Sequence, residues 1–284
     1  MSDVSVVISS YNQGELVAAA VDSARRQSLP PARIIVVDDG STDADSLAVL
    51  DRLHHAGRCE ILRQLNHGVS AARNTGIASV DEEFVVILDG DDRLAPEFIA
   101  ATTKALTNDS SVVAASSWLH THGVLEAEVK PTGGGAIDFL HRNACPATVM
   151  IRRAAWARSP GYDESMRDGF EDWDFFLSLL AEGGRIDIVP RPLIDYRTAL
   201  GSANVQSMEK RLVLYGLLID KHRQLFDTHL REVLLAQEAR AIDLSARWEE
   251  LLLRHPHEPL GEVSFGDGGM ATAVRIVGRR AATR

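Results

Sequence analysis

Three short apolar runs punctuate the first ninety residues, at positions 4–8, 34–37 and 84–88. They are β-branched or aromatic and almost uninterrupted, as strands buried on both faces of a parallel sheet read. Amphipathic stretches lie between them. Asn12 with Glu15 three residues on forms a capping-box pattern and predicts a helix over roughly 15–27. Leu47, Leu50 and Leu53 recur every three residues on a second helix, which Ser41 or Asp43 would cap. Pro96 suits the first turn of a third helix carrying Phe98, Ile99 and Leu106. Strand and helix in alternation argue for an α/β fold with right-handed crossovers, a mostly parallel central sheet flanked by helices. Ligands of such sheets sit beyond the carboxyl ends of the strands.

Beyond about residue 110 the pattern loosens. Strands are expected at 112–117 and 147–151, with a loop at 130–136 that holds three glycines. Residues 171–181 read as a helix stopped by Gly183 and Gly184. Residues 205–253 read as almost purely helical, and Met208, Leu212, Tyr215, Ile219, His222 and Phe226 form one apolar stripe at spacings of three and four. Three readings fit the stripe: an intramolecular brace, a homodimer seam, or contact with a membrane surface. Asp220, Asp227, Glu232 and Glu238 weigh against the membrane. The last thirty residues return to Gly and Pro. The final fifteen hold Arg275, Arg279, Arg280 and Arg284 and no acid, in a tail expected to be disordered and able to touch anionic lipid.

Composition narrows the classes. At 284 residues, 45% of them hydrophobic, the chain can form one large domain plus an appendage, or two domains. Its 40 acidic residues against 30 basic ones leave a formal charge of −10, which excludes a non-specific grip on nucleic acid. Cys59 and Cys145 are too few for a disulfide framework or a zinc ribbon. No basic segment leads into an apolar stretch at the N-terminus, and no apolar run approaches the roughly 18 residues of a membrane span. The expectation is a cytoplasmic protein, with peripheral contact at the inner membrane face as the variant.

The acids are clustered. Asp38 and Asp39 end the second strand, and Asp89, Asp91 and Asp92 end the third apolar one. In extended chain Asp89 and Asp91 would point together and Asp92 away. Converging carboxylates repel unless a cation intervenes, and Mg²⁺ or Mn²⁺ shared with substrate phosphates is the natural partner. Acids also cap helices and turns, which accounts for either cluster alone better than for both at equivalent strand ends. Glu171, Asp172 and Asp174 open a helix whose inner face is Phe175, Phe176, Leu179 and Leu180, and there the macrodipole alone is explanation enough. His120 and His122 alternate along a strand with no carboxylate or Cys close in sequence, and suit acceptor lining better than a metal. Gly133, Gly134 and Gly135 fit a closing loop or a surface turn equally. Cys145, before Pro146, reads as a small buried residue and not a nucleophile. The absence of GxSxG and of a Walker-type loop argues against serine hydrolases and P-loop NTPases.

In order along the chain come VSVVISSYN (4–12), IIVVDDGSTD (34–43), GVSAARNTG (68–76), VILDGDD (86–92), MIRRAAWARSPGYD (150–163) and GFEDW (169–173). Over residues 3–204 this series resembles the inverting glycosyltransferases of family 2, which have the nucleotide-binding GT-A fold. The resemblance implies a GT-A catalytic domain at 1–204, with a nucleotide-sugar half to about 110 and an acceptor half after it. A helical extension (205–254) and the tail (255–284) would follow. It places Ser10 and Tyr11 at the base and ribose, and Asp39 at the N3–H of a uracil or thymine. Arg73 would lie near the base or phosphates, unless it is a charge on a helix surface. Asp89 and Asp91 match the DxD motif, with Asp91 the direct metal ligand and Asp89 facing the sugar or ribose. Asp172 matches the general base and Glu171 the residue that orients it. The family often has a His two residues after its Tyr-Arg pair. Here Tyr196-Arg197-Thr198-Ala199 omits it, leaving Arg197 to hold a phosphate or a water to fill the place.

The activity so implied is a single in-line displacement. It moves a sugar from a UDP- or dTDP-linked donor to a hydroxyl of a glycan, a lipid-linked or a small-molecule acceptor. Mn²⁺ or Mg²⁺ would assist and the anomeric configuration would invert. The rival readings are a sugar-phosphate nucleotidyltransferase, which the lack of a basic residue in SSYNQG (9–14) disfavours, and an idle nucleotide-binding scaffold, which the intact acidic pairs disfavour.

Overall fold

The computed structural model describes residues 2–255, 257–261, 263–264 and 268–282. The chain forms two compact units, Met1–Thr228 and His229–Arg284. The first runs β1 (Val4–Ser10), α1 (Glu15–Arg25), β2 (Arg33–Asp38), α2 (Ala44–His55), β3 (Glu60–Arg63), α3 (Val69–Ala78), β4 (Phe84–Asp89), β5 (Arg93–Leu94) and α4 (Phe98–Asn108). It continues with β6 (Val112–Gly123), β7 (Ala127–Val129), α5 (Ala136–Leu140), β8 (Val149–Arg152), α6 (Arg153–Arg158), α7 (Glu171–Leu180), β9 (Arg185–Thr198), α8 (Ala203–Glu209), α9 (Arg211–Lys221) and α10 (Arg223–Thr228). The second holds α11 (Leu230–Arg254) and α12 (Gly269–Ala282).

One mixed sheet organises the first unit, in the order β3-β2-β1-β4-β8-β6-β9-β5, with β7 beside β6. β3, β2, β1 and β4 are parallel, as their apolar runs predict. Every residue of β1 is buried, and Val6, Ile8, Val36, Val86 and Leu88 share a core with Val17, Val21, Leu50 and Phe98. β8 then lies antiparallel to β4 and β6, while β6 and β9 run parallel through three register shifts. Crossovers bring the carboxyl ends of β1, β2 and β4 to one rim, so Ser10, Asp38 and Asp89 converge there. α3 reaches this rim because Gly76 lets it press onto β1, where a Cβ would collide with the Val7 side chain.

Several local expectations are corrected. Asn12 does not cap α1; it is left-handed (φ 51°), and its Oδ1 accepts the Thr42 and Asp43 amides, pinning the first strand-end loop to the second. Gly14 stands at the helix start instead. Asp43 caps α2 through the Ser46 amide, while Pro96 falls in the turn just before α4. The chain also turns after Asp89 instead of staying extended, so Asp92 is not directed away from its two neighbours.

The first compact unit runs past residue 204 to Thr228, with α9 and α10 packed on α5 and α7. Tyr215 OH donates to the Leu140 carbonyl at 2.6 Å, and its ring stacks on Trp173. The predicted stripe breaks at Lys210 and His222 into separate helices. Leu214, Leu218 and Phe226 are buried within the unit while Leu212 is 87% exposed, so part of this stretch braces the fold and another face stays open. The tail, expected to be disordered, contains α12, which buries Ala273 and Ile276 and pairs Arg275 and Arg279 with Glu249 of α11. Arg284 lies outside the described residues. Among the described residues no helix is long and apolar enough to cross a membrane.

Candidate active site

The strand-end loops enclose a cavity of about 310 Å³. Ser9, Ser10, Tyr11 and Gln13 from the β1–α1 connection and Asp39 from the end of β2 form one side. Val69, Ala72 and Arg73 of α3 lie beneath. Asp89, Asp91 and Asp92 enter from the end of β4, Glu171 from the start of α7, and Tyr196, Arg197 and Ser202 from β9 and the turn after it.

Asp39 is held rigidly. Its Oδ1 accepts Gln64 Nε2 at 2.8 Å and the His67 amide at 2.9 Å, and Oδ2 accepts the Gly68 amide at 2.8 Å. Each carboxylate oxygen can take two hydrogen bonds, so Oδ2 keeps a lone pair for a ligand donor. Tyr11 is 47% exposed and presents an aromatic face at the cavity mouth.

Arg73 is 2% exposed, which excludes the helix-surface reading. One terminal nitrogen donates to Asp89 Oδ1 at 2.7 Å, the other to Glu171 Oε1 at 3.0 Å. The end of β4 and the start of α7 are thereby joined through one cation. Burial works against its charge, and Asp89 and Glu171 outweigh that effect and hold the guanidinium charged. Gly90 lets the end of β4 pack on the loop after β1, since a Cβ there would strike Gln13 and the Ser9 carbonyl.

Asp91 is raised above the usual carboxylate range by burial and by Asp89, although Arg197 lies 3.6 Å away. Asp92 is pushed up to about 8, again by burial and Asp89. Its Oδ1 accepts the Arg197 amide, and its buried Oδ2 has no hydrogen-bond partner. All three acids line the same cavity. Carboxylates crowd here beyond what Arg73 and Arg197 balance. Among the described residues no group of three His, Cys, Asp or Glu side chains forms a complete metal cage.

Asp172 stands just outside the cavity wall. Oδ1 accepts the Trp173 amide and Oδ2 accepts Asn143 Nδ2 at 2.9 Å. Burial, then Glu171, push its carboxyl up to about 7, against the pull of Arg73. Phe170, which precedes this helix, is left-handed (φ 64°), an unusual state for an aromatic residue and one met at functional sites. Its ring packs on Trp173.

The chain matches the family model described as glycosyl transferase family 2 over residues 5–153. It belongs to that family. The uncharacterized glycosyltransferase EpsJ of Bacillus subtilis is 28% identical over 236 residues, which are 78% of this chain and 66% of that protein. A chondroitin synthase of Pasteurella multocida is 26% identical over 63% of this chain and 19% of its own length. The chain thus spans under two thirds of these relatives. The Staphylococcus aureus TarS structure with UDP-GlcNAc superposes with a TM-score of 0.64 at 16% identity, over 82% of this chain and 72% of that one, which shows the GT-A fold.

Of the residues that the family resemblance singles out, Ser10, Tyr11, Asp39, Arg73, Asp89, Asp91, Glu171 and Arg197 line one cavity, and Asp172 adjoins it. His120 and His122 do not. His120 faces Asp195 and His122 lies by Arg93. The glycine loop is pinned, Gly134 pairing with Ile186 and Gly133 bonding to Ala144. Burial raises the Cys145 thiol far above its usual range, which keeps it neutral. Gln13, Asn143 and Tyr162 are new. Tyr162 is buried under the Arg73 guanidinium with its hydroxyl unpartnered. Gln13 directly follows the motif that ends at Asn12, whereas no sequence signal marks Asn143.

Proposed function

We propose that this family 2 protein transfers a sugar from a UDP- or dTDP-linked donor to an acceptor hydroxyl, with inversion and with Asp172 as general base. The observation that carries the reading is the single cation, Arg73, bonded to Asp89 on the nucleotide side and to Glu171 beside Asp172. Donor and base are thereby held in one rigid frame.

The nucleotide would enter over Ser10 and Tyr11. Asp39 Oδ2 can accept the N3–H that uracil and thymine share and purines present differently. Arg197 faces the cavity from β9, where a diphosphate would need a cation. Asp172 takes the acceptor proton as the new bond forms, an effect worth about 10²–10⁴ in rate. Its raised proton affinity suits that task, because a base poised near neutral pH holds the proton more firmly than an ordinary carboxylate. Attack by a hydroxyl so deprotonated, opposite to the leaving group, would invert the anomeric configuration.

A hard divalent cation fits the residues present. The cavity carries excess carboxylate, Asp92 Oδ2 is buried without a partner, and oxygen donors are what Mg²⁺ and Mn²⁺ take. Asp91 would hold it together with donor phosphates, which explains why no complete protein cage is needed. When bound, the ion neutralises charge on the departing diphosphate.

Asp172→Asn tests the base. It keeps size and one accepting oxygen but cannot take a proton at neutral pH, so transfer should be abolished while donor binding persists. Full turnover in a folded Asp172→Asn protein overturns the assignment. Asp39→Ala tests the pyrimidine contact, and should weaken UDP about ten- to a hundredfold for loss of a hydrogen bond to a charged group. Tighter binding of GDP than of UDP by the wild type would sink it.

A further inference from the structure

We propose that Asn143 is a positioning residue that holds Asp172 in the ionised form and in the rotamer from which it accepts the acceptor proton. The inference rests on the reading of Asp172 as base. Asn143 lies in the loop between α5 and β8, far in sequence from the helix it serves. Its Oδ1 accepts the Cys145 amide at 3.3 Å and its Nδ2 donates to Asp172 Oδ2 at 2.9 Å. A backbone amide can only donate. The carboxamide oxygen must therefore face Cys145, which leaves its NH₂ for the carboxylate. The chain itself thus fixes which way the amide points.

With Oδ1 taken by the Trp173 amide, both oxygens of Asp172 are anchored and each retains a lone pair. Loop and helix are locked to each other as well, because Trp173 Nε1 donates to the Phe139 carbonyl at 2.6 Å. The titratable groups facing Asp172 are Glu171 on its own helix, Arg73 of α3, Cys145 in the Asn143 loop, Tyr162 before α7 and Tyr196 of β9. Among them only Arg73 is cationic, and its terminal nitrogens are bonded to Asp89 and Glu171. The donor that serves the outer oxygen of Asp172 is the Asn143 amide. Donation to a carboxylate favours its charged form, so losing the donor raises its proton affinity.

The test is a ¹³C NMR titration of full-length protein labelled at aspartate Cγ, with the Asp172 signal assigned by its loss in Asp172→Asn. In Asn143→Ala the midpoint of Asp172 should rise by about half to one pH unit, and in Asn143→Asp, which adds a like charge, by more. UDP release from UDP-N-acetylglucosamine with Mn²⁺ gives the matching kinetics. kcat below neutral pH should fall about three- to tenfold with KM unchanged, and raising the pH should restore it. Asn143 is exposed, and a melting curve for each variant checks that it folds. A midpoint in Asn143→Ala equal to the wild type's overturns the inference, and if Asp172→Asn is inactive the base reading survives that failure. Wild-type UDP release by Asp172→Asn removes both.

Discussion

Arg73 donates to one carboxylate with each terminal nitrogen while almost wholly shielded from water. Replacing it with Met would leave the half-buried Asp89 and Glu171 without the cation that joins them. Breaking a buried pair this way costs about 3–5 kcal/mol, so Arg73→Met should lower the free energy of unfolding by that amount in a denaturant titration. Arg73→Lys should recover only part of it, since a compact ammonium cannot reproduce the two-armed guanidinium. As the proposed base, Asp172 would set a pH dependence. A base works ionised, and this carboxyl is raised to about 7, so UDP release should climb as pH rises through about 7 and flatten above. A profile flat from pH 5 to 9 would contradict it. The residues legible in the sequence are those in contiguous motifs at strand ends. Asp39, Asp89 and Asp91 follow apolar runs that can only be buried strands, so chain geometry delivers them to the rim. Asn143 was not legible, because its partner lies in another element and only the folded chain brings the two together.

At the scale of elements, α9 clasps α7, the helix that carries the proposed base. Asp174 is 0% exposed and accepts Lys221 Nζ at 2.7 Å and His222 Nε2 at 2.8 Å, and Lys221 also holds Asp163. Lys221→Met should cost about 1–3 kcal/mol by thermal unfolding, because Asp174 loses one of its two donors, the charged one. The Asp163 carboxyl is held down to about 2 by Lys221 and Ser165. A depressed carboxylate contributes stability present above its unfolded pKa near 4, and that share is lost as pH falls toward 2. The variant should show a shallower acid limb over that window. Periodicity displayed the helices of this region but not their packing. An apolar stripe counted at threes and fours assumes one continuous helix, and the breaks at Lys210 and His222 rotate the faces, so Leu214 and Leu218 are buried instead of Leu212.

For the whole molecule, the unit ending at Thr228 contains every wall of the cavity. A chain stopped after Thr228 should fold and bind UDP, while one stopped after 204 should aggregate, since Asp174 would lose both donors. Saturating UDP with Mn²⁺ should stabilise the shorter protein and the full chain alike, by about 2.7 kcal/mol at a hundred times Kd. Equal stabilisation in EDTA would exclude the proposed ion.

The cavity is built from both ends of this unit, with Ser10 on the first strand and Tyr196 and Arg197 on the ninth. During synthesis the nucleotide side emerges long before the strand that closes the opposite wall. Pairing of β9 with β6 and β5 is non-local and carries the loop-closure entropy that slows folding. A nascent chain with a finished β1–β4 sheet would therefore hold Asp39 and Asp89 in place and still offer no enclosed pocket. Affinity for nucleotide becomes a timestamp: it marks the moment β9 docks, and pulse-labelled refolding with a fluorescent UDP would read that moment directly.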